Sequence, residues 1–305
     1  MAGPFTIVGL GEAVFDVFPD KKVLGGTSLN VAVQAHQLLA PMGGRGVLLS
    51  RIGNDNLGKR LQDEFRARGL PLDYMQIDVD HPTGQVLVSF EDGAPRFEIV
   101  VNTAWDLLQF TDHEATLSRE CHAVSFGSMS QRHPVAHKST QSFLAEAKDA
   151  LKIFDVNLRM DLFNAEILDE GCRVADLVKL NDEELSTVGQ LLQLPEGDAR
   201  SRTEAMRMKY DLDAIIFTRG ERGTAASTDD GWVEGKPASF PLLENADSVG
   251  AGDACTAALL TARLLGRDWQ ATLDLANRHG AFVASQPGAT PLLPSKILAK
   301  YELDK

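Results

Sequence analysis

The sequence predicts an α/β protein: a mainly parallel sheet covered by helices on both faces, with a small β insertion. Three observations predict it. Short apolar runs of strand character alternate with runs of helical period along most of the chain. The rhythm breaks once, over residues 83–101, where two β-rich runs follow one another with no helix between them. The chain also has 305 residues, 44% of them hydrophobic and 24% charged, which suffices for one large domain. Strands that alternate with helices run parallel, because each helix returns the chain to the same end of the sheet.

The elements follow in order. Residues 4–18 (PFTIVGLGEAVFDVF) read as strand, turn and strand, and 28–40 (SLNVAVQAHQLLA) as a helix with Asn30 near its start. A strand over 45–53 precedes a helix over 55–69, closed by Gly69. In the insertion the Asp92-Gly93 pair is a hairpin signal. The rhythm then resumes with a strand over 122–128, a helix over 133–150 and strands over 151–157 and 176–181. A helix over 182–194 and a strand over 213–220 follow. No repeat, low-complexity tract or linker divides the chain, so a single domain over 1–305 is expected.

A formal net charge of −13 argues against a nucleic-acid or anionic-membrane surface, since either needs a basic patch. Cys121, Cys172 and Cys255 are scattered and in no metal spacing, as in a reducing compartment. The first ten residues lack the basic start and length of a signal peptide. No apolar run approaches the about 20 residues of a membrane span. A soluble cytoplasmic protein is expected.

Residues 247–260, DSVGAGDACTAALL, place Gly250, Ala251 and Gly252 and then Asp253 where a helix begins. Free amides and the positive end of a helix dipole make an anion site, and small residues let an anion approach. Asp253 beside it can accept a proton from an attacking hydroxyl. An ordinary glycine turn with a dipole-favouring acid fits the same residues.

The context decides between them. DSVGAGD before an apolar helix resembles the C-terminal signature D-T-x-G-A-G-D of the ribokinase-like (PfkB) carbohydrate kinases. The likeness runs along nearly the whole chain, through GEAVFDVFP and LGGTSLNVA near the N-terminus and then RIGNDNLG (Gly53, Asp55, Gly58). It continues with FDVNLR, KLNDEE and TRGERG. Each is weak alone; their order is specific. Within the family, GEAVFDVFP, PTGQVLVSFEDG, AWD, FGSMSQR and FDVNLR look most like bacterial fructokinases. The resemblance implies a three-layer α/β/α body with a β lid over about 83–102 and a further lid strand over about 13–24. It implies ATP-dependent transfer to a primary sugar hydroxyl, fructose first. The alternatives are 2-keto-3-deoxygluconate, ribose or a nucleoside, or a non-catalytic sugar sensor on the same fold.

Site residues follow position by position. Asp253 is the implied base, with the amides of Gly250, Ala251, Gly252 and Asp253 itself as the anion hole. Asp16, Gly25, Gly26, Asn30 and Arg159 fall on sugar positions. Short polar side chains suit a dense array of hydroxyls, and the glycines suit a hinge. Thr218, Gly220 and Gly223 follow an apolar strand, at the end where open sheets bind ligands. With Asn277 and Ala281 they are the implied ATP pocket. Asn181 and Glu184 are expected to orient water on Mg²⁺. Asp247, the Val249 carbonyl and the loop at Gly288 match the place of a monovalent cation, K⁺. The implied partners are the sugar and ATP, with a homodimer through the lid left open.

Three other signals are set aside. There is no G-x-x-x-x-G-K-[ST]. GLGEAV at Gly9 and Gly11 lacks the third glycine of a dinucleotide fingerprint and runs into a strand. His133 and His137 have the spacing of a metal pair but no H-E-x-x-H glutamate. Leu29 stands where the family has alanine and is expected to add bulk beside the sugar. Trp105 is expected to pack at the base of the insertion.

Overall fold

The structure, a computed structural model, describes residues 4–91 and 94–301; the Asp92-Gly93 signal lies outside them. The strands are β1 (Thr6–Leu10), β2 (Val14–Val17), β3 (Lys22–Gly25), β4 (Arg45–Gly53), β5 (Met75–Asp78), β6 (Gly84–Glu91), β7 (Ala94–Ile99), β8 (Ala123–Gly127), β9 (Leu151–Asp155), β10 (Leu177–Asn181), β11 (Ala214–Thr218), β12 (Thr224–Thr228) and β13 (Gly231–Glu234). The helices are α1 (Thr27–Leu39), α2 (Asn56–Ala67), α3 (Asp112–Glu120), α4 (Pro134–Glu146), α5 (Ala165–Val174), α6 (Asp182–Leu191), α7 (Ala199–Tyr210), α8 (Ala251–Leu264), α9 (Trp269–Ala284) and α10 (Ser295–Leu298).

Among the described residues the main sheet has nine strands in the order β13-β12-β11-β10-β9-β8-β1-β4-β5. From β11 through β5 every neighbouring pair is parallel; β12 and β13 extend it antiparallel. Side-chain alternation sets the two covered faces. Val8 and Leu10 join a core with Phe143 of α4, Leu168 of α5 and Met206 of α7. Ile7, on the alternate face, joins another with Val31 of α1, Leu259 of α8 and Leu273 of α9. The layers are therefore α/β/α. Helix α1 lies so close to β1 that a Cβ on Gly9 would sit 1.9 Å from the Ser28 carbonyl oxygen.

A second sheet of four strands, β3-β2-β6-β7, stands apart from the first. Its β2 and β6 run parallel, and its other pairs are antiparallel. Val14 and Val86 on its inner face pack against Trp105 and Met129 of the body. Trp105 is a packing residue: it is buried, and the Arg132 guanidinium lies 4.2 Å from its ring centre. Asp55 of RIGNDNLG is structural too. It caps α2 through the Gly58 amide and accepts from the Thr83 amide, both at 2.8 Å, anchoring the entry to β6.

The structure departs from the sequence reading in places. Strand β12 reads TAAST, small residues without hydrophobic alternation. It is a strand because it fills the slot between β11 and β13 and packs against α9. The helix expected to 150 ends at Glu146. Leu29 does not narrow a pocket; it is 1% exposed, in a core with Phe15, Leu48 and Ile52. His133 caps α4 through the Val135 amide and His137 pairs with Glu170 at 2.8 Å, so the two are not a metal pair.

Candidate active site

The parallel strands β1, β9, β10 and β11 end at Leu10, Asp155, Asn181 and Thr218. The motif residues gather at these carboxyl ends, where an open α/β sheet leaves a crevice. The first turn of α8 is their common element. Gly250 is its N-cap in the left-handed region (φ 76°), and no side chain caps the helix. A Cβ on Gly250 would lie 2.6 Å from Ala289 Cα, so the turn requires glycine. The sequence reading assigned four amides to the anion hole, and the structure corrects it. The Ala251 amide turns back to the Ser248 carbonyl at 3.2 Å, while those of Gly250, Gly252 and Asp253 meet no acceptor among the described residues.

Asp253 lies on the side of α1. Asn30 Nδ2 donates to its Oδ2 at 2.7 Å. Burial and then the charge of Asp155 push the Asp253 carboxyl up to about 6, against the Asn30 hydrogen bond and the charges of Lys179 and Arg159. Such a group is ionised at neutral pH yet a better proton acceptor than an ordinary aspartate. Asp16 sits on the inner face of the second sheet, in register with Val86. Gly25 faces it: a Cβ there would lie 3.2 Å from Asp16 Oδ2. Burial raises Asp16's pKa and Arg159 opposes the rise. Arg159 is exposed, and its charge acts on both Asp16 and Asp253. Gly26 caps α1, its carbonyl accepting the Asn30 amide at 2.8 Å.

On the other side of α8, Ala251 and Gly252 line a cavity of about 880 Å³ together with Asn181, Thr218, Gly220, Gly223, Asn277 and Ala281. Asn277 is a brace in its wall. Its Oδ1 accepts from the Thr224 amide and hydroxyl at 2.8 and 2.7 Å, and its Nδ2 donates to the Lys236 carbonyl at 3.1 Å. Glu184 is held behind the cavity, accepting from the Asn181 amide at 2.9 Å and the Leu158 amide at 3.0 Å. Burial and then Asp155 raise its pKa.

The donor sets suit loosely held cations. Among the described residues, no group of three or more His, Cys, Asp or Glu could hold a metal ion. Asp247 accepts from the Val249 and Gly288 amides at 3.0 and 3.2 Å, joining the two loops. Its oxygens retain lone pairs, a hard donor suited to a monovalent cation beside backbone carbonyls.

Two buried groups escaped the sequence reading. Glu12, 2% exposed, accepts from the Thr27 amide at 2.8 Å and so caps α1 in place of the side chain that Gly26 lacks. Burial pushes its carboxyl up to about 6, with the charge of Asp253 adding to the rise. Lys179 pairs with Asp155 at 2.7 Å under the first turn of α8. A lysine inside the apolar run LVKLN was the available signal.

The relatives share this architecture. The chain is 29% identical over 308 residues to a fructokinase of Escherichia coli, covering 94% of this chain and 95% of that one. It is similar in structure to a fructokinase with bound ATP from Xylella fastidiosa, with a TM-score of 0.82, 24% identity and 97% of each chain covered. It is also similar to a fructokinase from Vibrio cholerae O395 in fructose, ADP and calcium ion bound form, with a TM-score of 0.78, 24% identity, and 99% of this chain and 100% of that one covered. A family model described as pfkB family carbohydrate kinase matches residues 10–296. That match takes in every residue of the site, from Glu12 to Gly288, and the chain belongs to the pfkB family of carbohydrate kinases.

Proposed function

We propose that the enzyme transfers the γ-phosphoryl group of ATP to a neutral hexose, fructose first, forming fructose 6-phosphate. One observation carries the reading. The first turn of α8 presents Asp253 to the Asn30 side while Gly252 opens on the cavity, so base and anion hole lie side by side in one turn. The sugar's CH₂OH lies against Asp253, which takes its proton as the oxygen attacks in line. The free amides of the turn receive the developing charge. Asn181 and Glu184 would orient water on a Mg²⁺ ion, which would supply further charge neutralisation at the phosphates. Asp16 and Asn30 hold hydroxyls, and the second sheet closes as a lid through Gly25 and Gly26, excluding water. A monovalent cation at Asp247 and a dimer through the lid belong to the same reading.

A neutral substrate is favoured over an acid sugar. Arg96 of the second sheet pairs in register with Ser89, on the face opposite Val88. That leaves Arg159 to meet a substrate carboxylate, and it already faces Asp16 and Asp253. The test is coupled ADP release across fructose, ribose, a nucleoside and 2-keto-3-deoxygluconate. Fructose is expected to give the highest kcat/KM. A preference for the acid sugar that Arg159→Ala abolishes would overturn the neutral-hexose reading and leave the kinase assignment standing.

A further inference from the structure

We propose that Lys179 is a further catalytic residue, whose ammonium reaches the transferring phosphoryl group across the open face of Gly252. The inference rests on the anion-hole reading above. Lys179 lies in β10 between Val178 and Leu180, which face the core under α5 to α7. Alternation turns the lysine to the other face of the sheet, towards α8. There its Nζ stands 2.7 Å from Asp155 Oδ2. The same oxygen accepts from the Thr256 hydroxyl at 3.1 Å, and that hydroxyl also bonds the Gly252 carbonyl at 3.1 Å. The pair is thus fastened to the turn that holds the anion hole.

Beyond its own helix, Lys179 Nζ is the atom nearest the place a Cβ on Gly252 would occupy, at 3.6 Å. Gly252 lines the cavity, so an oxygen seated in that notch has the open amides of the turn on one side and the ammonium on another. Asp155 takes one of the three N–H donors, and the others meet no acceptor among the described residues. A buried ion pair is by itself weak support for a fold, because desolvation offsets its attraction. The groups facing the ammonium are Asp155, Asp253, Cys255 and Glu184. Burial alone would drive it towards neutrality; Asp155, and then Asp253, more than offset that and keep it charged.

The rival role is plain neutralisation of Asp155. The test compares wild type with the double variant Lys179→Gln/Asp155→Asn, which leaves neither a lone buried carboxylate nor a lone buried ammonium, and thermal melts check folding. A contact with the transferred group predicts that the double variant falls at least about 30-fold below wild type in kcat, the scale of a lost oxyanion donor. Plain neutralisation predicts turnover near wild type, since no carboxylate is left to neutralise. Its sugar KM should stay within about threefold, as expected for an interaction made with the phosphoryl group. By calorimetry, affinity for a non-hydrolysable ATP analogue should fall about tenfold between the two while ADP affinity is unchanged. Equal losses for the analogue and ADP, or equal kcat in the double variant and wild type, would overturn the proposal. If Gly252→Val leaves turnover intact, the phosphoryl group is not in this notch, and the anion-hole reading fails together with it.

Discussion

On the Asn30 side of α8, polar side chains meet: Asn30 bonds Asp253, Asp16 lies across from Gly25, and the charge of Arg159 acts on both acids. On the cavity side the lining includes Gly220, Gly223, Ala251, Gly252, Ala276 and Ala281, and the amide of Asn277 is spent on Thr224 and Lys236. Under the proposed function the first half reads its ligand with side chains in fixed positions, and the second with backbone and shape. A sugar differs from its rivals by single hydroxyls, which unpaired buried groups discriminate strongly. A triphosphate needs charge complementarity and room. Charge and pH should therefore govern one half, and volume the other.

The largest effect should come from Asp253→Asn. The amide is nearly isosteric, so ADP affinity by calorimetry should persist while kcat falls by about 10²-fold or more. Turnover within a few-fold of wild type would remove Asp253 from the role of base. Its pH dependence sharpens the point. Only the ionised carboxyl accepts a proton, and its pKa is pushed up to about 6. Wild-type kcat/KM should thus fall as pH drops through that value, and the Asn variant should lose this limb. Glu12 titrates in the same range under the charge of Asp253, so the limb reports the coupled pair.

Gly252→Val probes the other half by volume alone. Its Cβ meets nothing of the protein nearer than Lys179 at 3.6 Å, so the fold should survive while the side chain fills the phosphate's place. We expect turnover down by about 10²-fold with sugar affinity preserved. Sugar binding lost with turnover intact would reverse the assignment of the two halves. Asp16→Ala should act the opposite way. It leaves hydroxyls unpaired at about 1–3 kcal/mol each, raising the sugar KM by about tenfold and leaving the ATP KM nearly unchanged. An equal rise in both constants would break the division. The smallest effect belongs to Asn277→Ala. Loss of the brace should lower the melting temperature by a few degrees, for about 1–3 kcal/mol, and weaken ATP a few-fold without touching sugar KM. A melting temperature unchanged from wild type would show that Asn277 braces nothing.

Much of the body was legible because its signals are local. Runs such as TIVGL and AIIF show strand hydrophobicity directly, and GAGD marks the start of α8. Strand β12 was not legible, since its burial is imposed by β11, β13 and α9 rather than by its own residues. Glu12 and Lys179 were missed for a related reason. Glu12 caps a helix that starts 15 residues later, and Lys179 meets an acid 24 residues away on a neighbouring strand. The Leu29 side chain was misplaced because its direction depends on how α1 packs against the sheet.

By itself, the sequence determined the α/β class, the two hairpin strands of the second sheet and the family, because periodicity and ordered motifs are properties of the chain alone. The tertiary structure decided which way each polar group points and what it meets. It spent Ala251's amide on the Ser248 carbonyl, set Arg96 on the face of the second sheet opposite Val88 and turned Asn277 into the cavity wall. It also set Asp155 beside Lys179 and Asp253, where its charge shifts the protons of both. Hydrogen bonds need partners within about 3 Å, and charge coupling needs shared burial. Neither distance nor burial exists until the strands are side by side.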